Sequence, residues 1–432
     1  MVTRIIFMIL AIISSLGALA QDKSVLAKIS GTIIELKQAS QCNLSQWKGK
    51  ITDACQCCLI YYHESNNITE CTKNKQCNES SLAALKSQYG EKFLETLIQN
   101  NLIIKPIKID NSLLAADGSV IKLAQLLSQA FKENKIINKA FSSENCMQVK
   151  NLGKGGGYNT LQLFLVSSTC SGKEENYIIK EPRDGVHEAQ QLSLVAESPK
   201  LKDLAVPKIT PGLPSLALPV GFLSYSKDKK THDLVIMPAA LGADLASLIL
   251  KFKKNQSKEN RDLLSSAFLK LGEELGQWHK QNMKTTGTNR LGKTVVHGDF
   301  HPFNLFYDAN KNHFTFIDNE SIATSLKEPG DVSTDIIKLF FMPFSINTDY
   351  AQFRDLIDGI DLKTWFDISL KNFITGYRKS YAKNEQSKVL QELKNIFIKP
   401  FSIKWVDFYE EQLDNLRKQH FVPVFDELAR QE

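Results

Sequence analysis

The 432-residue sequence predicts an α+β fold, and three observations carry that reading. Short apolar, β-prone runs at Met147 to Leu152 and Leu161 to Val166 flank a glycine-rich stretch. A second pair, Leu305 to Tyr307 and Phe314 to Ile317, brackets a segment of turn formers. Apolar residues at three- and four-residue spacing then mark helices, as in Leu264, Phe268, Leu271, Leu275 and Trp278 within Leu263 to His279.

Composition sets the outer bounds. With 43% hydrophobic and 23% charged residues the chain reads as an ordinary globular protein with room for two or three domains. A net charge of +6 is mild for this length, and no basic cluster interleaved with aromatics is present, which argues against nucleic acid as a partner.

Residues 1–20 carry one positive charge at Arg4, an apolar run from Ile5 to Ile13 and small residues ending in Ala18-Leu19-Ala20. That layout predicts a signal peptide cleaved before Gln21; the competing reading, a membrane anchor, asks for a longer apolar run of ~20 residues. After cleavage no further segment is long and apolar enough to cross a bilayer. The expected location is the lumen of the secretory pathway or the exterior.

Cysteine usage agrees with export. Six of the eight cysteines, Cys42, Cys55, Cys57, Cys58, Cys71 and Cys77, form a cluster without repeated C-x-x-C pairs, which favours disulfides over a metal knot. Around the cluster, Val25 to Ala39, Ser81 to Gln99 and Val120 to Phe131 have helical spacing. Residues 21–140 are therefore expected to form a helical, disulfide-bonded extension. Its role is open among a clasp on the following domain, a module binding a protein partner, and an aid to folding.

From Cys146 the pattern turns to strands. Gly153 to Asn159 reads either as a flexible hairpin loop or as a glycine loop whose backbone N–H groups approach phosphates. Cys146 and Cys170 sit at the outer ends of this hairpin with their midpoint at residue 158, so an antiparallel pair brings them together as a disulfide. Tyr177 to Pro182 is a short strand containing Lys180, and His187 to Leu192 opens a helix containing Glu188. Asp233 to Ala240, with Met237 and Ala239, reads as another strand. The helix from Leu263 to His279 is a core helix in which His279 is structural.

In the last hairpin, folding about residue 311 sets Asn304 opposite Asp318, where an amide oxygen and a carboxylate can share a hard cation. Asp299 lies five residues before Asn304 on the entering turn, with His297 two residues earlier. A kinase needs such a carboxylate near the attacking hydroxyl.

The wording His297-Gly298-Asp299-Phe300-His301-Pro302-Phe303-Asn304, followed by a hairpin and Ile317-Asp318, resembles the catalytic segment of the aminoglycoside phosphotransferase and choline kinase family, within the protein-kinase-like superfamily. Gly298 and Asn319-Glu320 stand where protein kinases carry Arg and Phe-Gly, which favours the small-molecule branch. The resemblance implies a two-lobed protein-kinase-like fold: an antiparallel N-lobe sheet over residues 141–240 and a mainly helical C-lobe over 241–432. It implies that Asp299 is the catalytic base, that His297 supports the catalytic loop, and that Asn304 and Asp318 hold Mg²⁺.

By the same resemblance, Gly155, Gly156 and Asn159 match a GGxxN nucleotide loop. Lys180 is a phosphate-contacting lysine oriented by Glu188, and the strand around Met237 and Ala239 leads to a hinge whose backbone holds adenine. Gly330-Asp331 and Asp335 match a segment whose second aspartate supports the catalytic loop. The implied activity is transfer of the γ-phosphoryl of ATP to a hydroxyl of a small molecule such as an amino-alcohol, a sugar or an aminoglycoside-like compound. Two alternatives remain: a lumenal protein or glycan kinase, and a non-catalytic pseudokinase that binds a partner. A glycosylation sequon at Asn319-Glu320-Ser321, next to Asp318, would block the site if modified.

Overall fold

A computed structural model describes residues 107–108, 120–133, 138–153, 160–183, 185–196, 198, 201–227, 230–283, 290–347, 350–398 and 410–431. The strands that matter below are β1 (Ile107–Lys108), β2 (Met147–Gly153), β3 (Thr160–Ser168), β4 (Glu175–Pro182), β5 (Ser215–Leu216), β6 (Gly221–Lys227), β7 (Lys230–Pro238), β8 (Ala243–Asp244), β9 (Leu305–Asp308) and β10 (His313–Phe316). The helices are α1 (Val120–Lys132), α2 (Gly185–Ala196), α3 (Lys258–Asn282), α4 (Ser333–Phe341) and α5 (Leu370–Lys379). The chain is mixed α+β and divides into two compact units, one ending near Leu194 and resuming over Pro219–Ala239, the other made of Val195–Leu218 and everything from Ala240 onward.

The first unit is built on a sheet in the order β1-β6-β7-β4-β3-β2. Its five long strands pair antiparallel, and the two-residue β1 adds in parallel to the β6 edge. One apolar face carries Met147, Val166, Tyr177, Ile179, Leu223, Leu234 and Ile236, and the helix α1 covers it with Leu123, Leu126, Leu127 and Ala130. These positions on α1 repeat at three and four residues, as a helix lying on a sheet requires. Residues 120–132, expected within the extension, thus share the core of the sheet. The cysteine cluster and the helices expected at Val25 to Ala39 and Ser81 to Gln99 lie outside the described residues.

Cys146 and Cys170 form the expected pair, with Cα atoms 5.2 Å apart, within the usual range for a disulfide. The register explains it: Met147 stands opposite Ser168, so the two cysteines flank the first rung of the β2–β3 ladder.

The second unit is mostly helical. Leu264, Phe268, Leu271, Leu275 and Trp278 are all fully buried along α3, as their spacing predicts. α3 packs closely against α5 because each contributes a glycine at the crossing: a Cβ on Gly272 would run into the Phe373 carbonyl, and one on Gly376 into the Leu269 carbonyl. A small sheet in the order β5-β10-β9-β8 lies in this unit. Its central hairpin, β9–β10, bears the residues considered next. Among the described residues no helix is long and apolar enough to cross a membrane.

Candidate functional site

The hairpin pairs Leu305 with Phe316, Tyr307 with Phe314 and Asp308 with His313. Four residues, 309–312, form the turn, so the chain folds between residues 310 and 311 and not about residue 311 itself. The turn is held by Asp308 Oδ1, which accepts from the Asn310 N–H at 3.0 Å, and by Asn312, which takes a left-handed conformation at φ 48°. Asn304 consequently stands opposite Ile317, whose N–H donates to the Asn304 carbonyl at 3.0 Å. Asp318 comes one residue later, at the same end of the hairpin. Its backbone is left-handed too (φ 58°, ψ 48°), a conformation that costs an aspartate energy and that clusters at functional positions.

Preceding the hairpin, the loop from Val295 to Asn304 is tied down from three sides. Asp335, in the first turn of α4 and fully buried, accepts the N–H of Gly298 through Oδ1 at 2.8 Å and the N–H of His297 through Oδ2 at 2.9 Å. Burial would raise the Asp335 carboxyl, but the hydrogen bond and charge of His279, with His297 and the Gly298 N–H, hold it below its usual range. His279 bonds Asp335 Oδ2 through Nε2 at 3.1 Å and Tyr377 Oη through Nδ1 at 2.8 Å. It is the structural residue the sequence suggests.

His297 is placed where the sequence suggests, as a support of the loop and not at the chemistry. It is fully buried, its Nε2 donates to the Ile317 carbonyl at 3.0 Å, and its Nδ1 accepts from the Asp299 N–H at 3.3 Å. Burial pushes its pKa down and favours the neutral ring. With both ring nitrogens engaged by backbone, His297 pins the loop to the end of the hairpin and has no atom left for a substrate. Its ring packs edge-on against Phe300 and Phe316, both fully buried, each contributing about 1.5–3 kcal/mol by burial. Gly298 turns the chain at φ 80°, and a Cβ there would press on Ser321 at 3.0 Å.

That frame presents Asp299, whose side chain is 35% exposed. Its Oδ1 lies 3.1 Å from Lys338 Nζ and its Oδ2 3.4 Å from His301 Nε2. Burial raises its pKa, but the bond and charge of His301 and the charge of Lys338 outweigh that and hold the carboxyl well below the usual range. Asn304 Nδ2 donates to the Asp299 carbonyl at 3.0 Å and to Oδ2 at 3.2 Å. Asn304 thus closes the loop through its nitrogen, which leaves Oδ1 available to a cation. Asp318 and Glu320, both half-buried, offer carboxylate oxygens within 4.8 Å of each other. An all-oxygen set of this kind suits a hard ion such as Mg²⁺.

Three neighbours went unassigned in the sequence. Lys338 stands one helical turn after Asp335, so that α4 aims an aspartate at the loop backbone and a lysine at the loop carboxylate; the D-x-x-K spacing was the available signal. His301 lies inside the recognised motif. Glu320 stands two residues past Asp318.

In the first unit, Lys180 on β4 and Glu188 on α2 form an ion pair at 2.9 Å, with side chains 7% and 4% exposed. This is the pairing expected from their order in the chain. Gly155, Gly156 and Asn159 lie outside the described residues. Met237 on β7 stands opposite Ile178 and is buried with Leu192, Phe222 and Val235. The Ala239 N–H, part of the expected adenine-holding backbone, already donates to the Asn176 carbonyl at 2.8 Å, so Ala239 can offer a ligand only its carbonyl. No protein-family model matches the chain, and no curated protein matches it.

Proposed function

We propose that the protein is an ATP-dependent phosphotransferase with a protein-kinase-like fold that moves a γ-phosphoryl group to a hydroxyl of a small molecule. The observation that carries the reading is Asp299: an accessible carboxylate, kept ionised, on a loop whose backbone is held by Asp335 and closed by Asn304, five residues before the hairpin that ends in Asp318. Phosphoryl transfer asks a protein mainly for positioning and charge compensation. Asp299 would accept a hydrogen bond from the acceptor hydroxyl and orient its oxygen for in-line attack. Because its pKa is so low, proton transfer to it would come late, as the new P–O bond forms. Asn304 Oδ1 and Asp318, with Glu320 close by, would hold Mg²⁺, which supplies charge neutralisation on the phosphate oxygens. Lys180, aimed by Glu188, would serve the phosphates of the nucleotide.

The Cys146–Cys170 pair favours a setting in an oxidising compartment, in which the acceptor could also be a lumenal protein or glycan. The test is the thermal unfolding of the chain from Gln21 onward with and without Mg²⁺-ATP, beside an Asp318→Asn variant. Specific binding at a hundred times the dissociation constant adds about 2.7 kcal/mol of stability. A metal-dependent rise that the variant loses supports the reading; no rise at millimolar nucleotide turns it toward a pseudokinase.

A further inference from the structure

The side chains around Asp299 bear on the acceptor. Lys338 Nζ is 3.1 Å from Oδ1, and its own side chain is only 16% exposed, so the ammonium is fixed in place by α4 and does not swing freely in solvent. His301 Nε2 lies on the other oxygen at 3.4 Å. The Asp299 charge is therefore already matched from within the protein. Beside His301 lies a group of aromatic rings: Phe353 at 5.1 Å from the His301 ring, Phe303 at 6.1 Å from it, and Tyr350 at 5.9 Å from Phe353. Phe303 and Tyr350 are half-buried, and Phe353 is buried.

Such rings suit either the apolar face of a sugar or a quaternary ammonium. The fixed charge decides between them. In an amino-alcohol the cation sits two carbons from the reacting hydroxyl. A hydroxyl bonded to Asp299 would carry that cation well inside the ~8 Å over which salt screens charges, where the Asp299–Lys338 pair offers it no net charge and its lost hydration goes uncompensated. A neutral polyol pays no such penalty.

We propose that the acceptor presented to Asp299 is a neutral hydroxyl compound of the sugar or polyol class, and that Lys338, by matching the Asp299 charge, disfavours amino-alcohols and aminoglycosides. The proposal rests on the phosphotransfer reading above and narrows its substrate. Matched acceptor pairs test it with radiolabelled ATP and Mg²⁺: glucose against glucosamine, and 3,3-dimethylbutan-1-ol against choline, which differ in little but charge. The neutral member should be favoured at least tenfold in kcat/KM by the native protein. Lys338→Met should shrink that ratio towards one, and Lys338→Arg, which keeps the charge should the methionine variant fold poorly, should preserve it.

Preference for the cationic member in the native protein overturns the proposal, as does an unchanged ratio in Lys338→Met. Labelling of none of the four compounds by a protein that gives the Mg²⁺-ATP thermal shift also overturns it while leaving the nucleotide site standing. Absence of that shift removes the phosphotransfer reading itself and this inference with it.

Discussion

Asp335 accepts the N–H of Gly298 at 2.8 Å from a fully buried position on α4, thirty-seven residues further along the chain. The loop bearing Asp299 is thus shaped by a carboxylate that never reaches solvent. Asp335→Asn turns an amide nitrogen toward backbone donors and removes the charge that pairs with His279. Breaking a buried pair in this way costs about 3–5 kcal/mol, to be read from urea unfolding. The pH dependence has a definite sign. The folded pKa of Asp335 is depressed, so its contribution is present above the unfolded carboxylate value and is lost as pH falls through the folded one. The variant should lose less stability on acidification below about pH 4 than the native protein.

Glu274 behaves in the opposite sense. It is fully buried on α3, where its Oε1 meets His313 Nδ1 at 2.9 Å and its Oε2 accepts the Phe314 N–H at 3.0 Å. His313 Nε2 in turn lies 2.8 Å from Ser215 Oγ, so one buried chain joins α3, β10 and β5. Burial raises the Glu274 pKa above 4.5, and the hydrogen bond and charge of His313 offset only part of the rise. Its stabilising contribution is full below the unfolded value and fades as pH rises through the folded one. Glu274→Gln should flatten the stability profile from about pH 4.5 upward, as chemical unfolding across that range would reveal. A variant that tracks the native profile would contradict the assignment.

The Lys180–Glu188 pair links β4 to α2 at 2.9 Å with almost no exposure. Lys180→Met and Glu188→Gln should each destabilise, and the double variant should fall short of their sum. A double-mutant cycle is expected to give a coupling of about 1–3 kcal/mol, little reduced by salt because the pair is screened from solvent. Strict additivity would mean that the contact contributes nothing.

Two glycosylation sequons in the described residues have opposite fates. Asn319 is fully buried, and its Nδ2, the atom a glycan would occupy, donates to the carbonyls of Ala217 and Phe316 at 3.2 and 3.1 Å. Asn255, at the C-terminal cap of the helix preceding α3, is exposed. Protein made in a secretory host should carry glycan at Asn255 and none at Asn319, as peptide mass spectrometry would record. A modified Asn319 would require that the chain be glycosylated before this region folds.

Much of the site was legible from local pattern. Strand and helix periodicity located β2, β3, β9, β10 and α3, and the spacing of Asp299 and Asn304 named two side chains that meet at the end of the hairpin where Asp318 also stands. The Cys146–Cys170 pair followed from hairpin symmetry alone. These readings succeed because the residues involved interact with near neighbours along the chain, where backbone geometry dictates who meets whom. The hairpin was off by half a residue because an apolar run shows that a turn exists, whereas the number of residues in the turn depends on which of them adopts the left-handed conformation.

By itself, then, the sequence determined the α+β character of the chain, the strands and helix that frame the loop, and the identity of its carboxylates. Only the tertiary structure decided what those carboxylates face. Lys338 on Asp299, Asp335 on the N–H groups of His297 and Gly298, and Glu274 on His313 join residues about 37 to 39 positions apart. No local period encodes such pairings. They come from the packing of α3 against the hairpin and of α4 against the loop, which brings distant groups within about 3 Å, where burial strengthens every charge and makes each partner decisive.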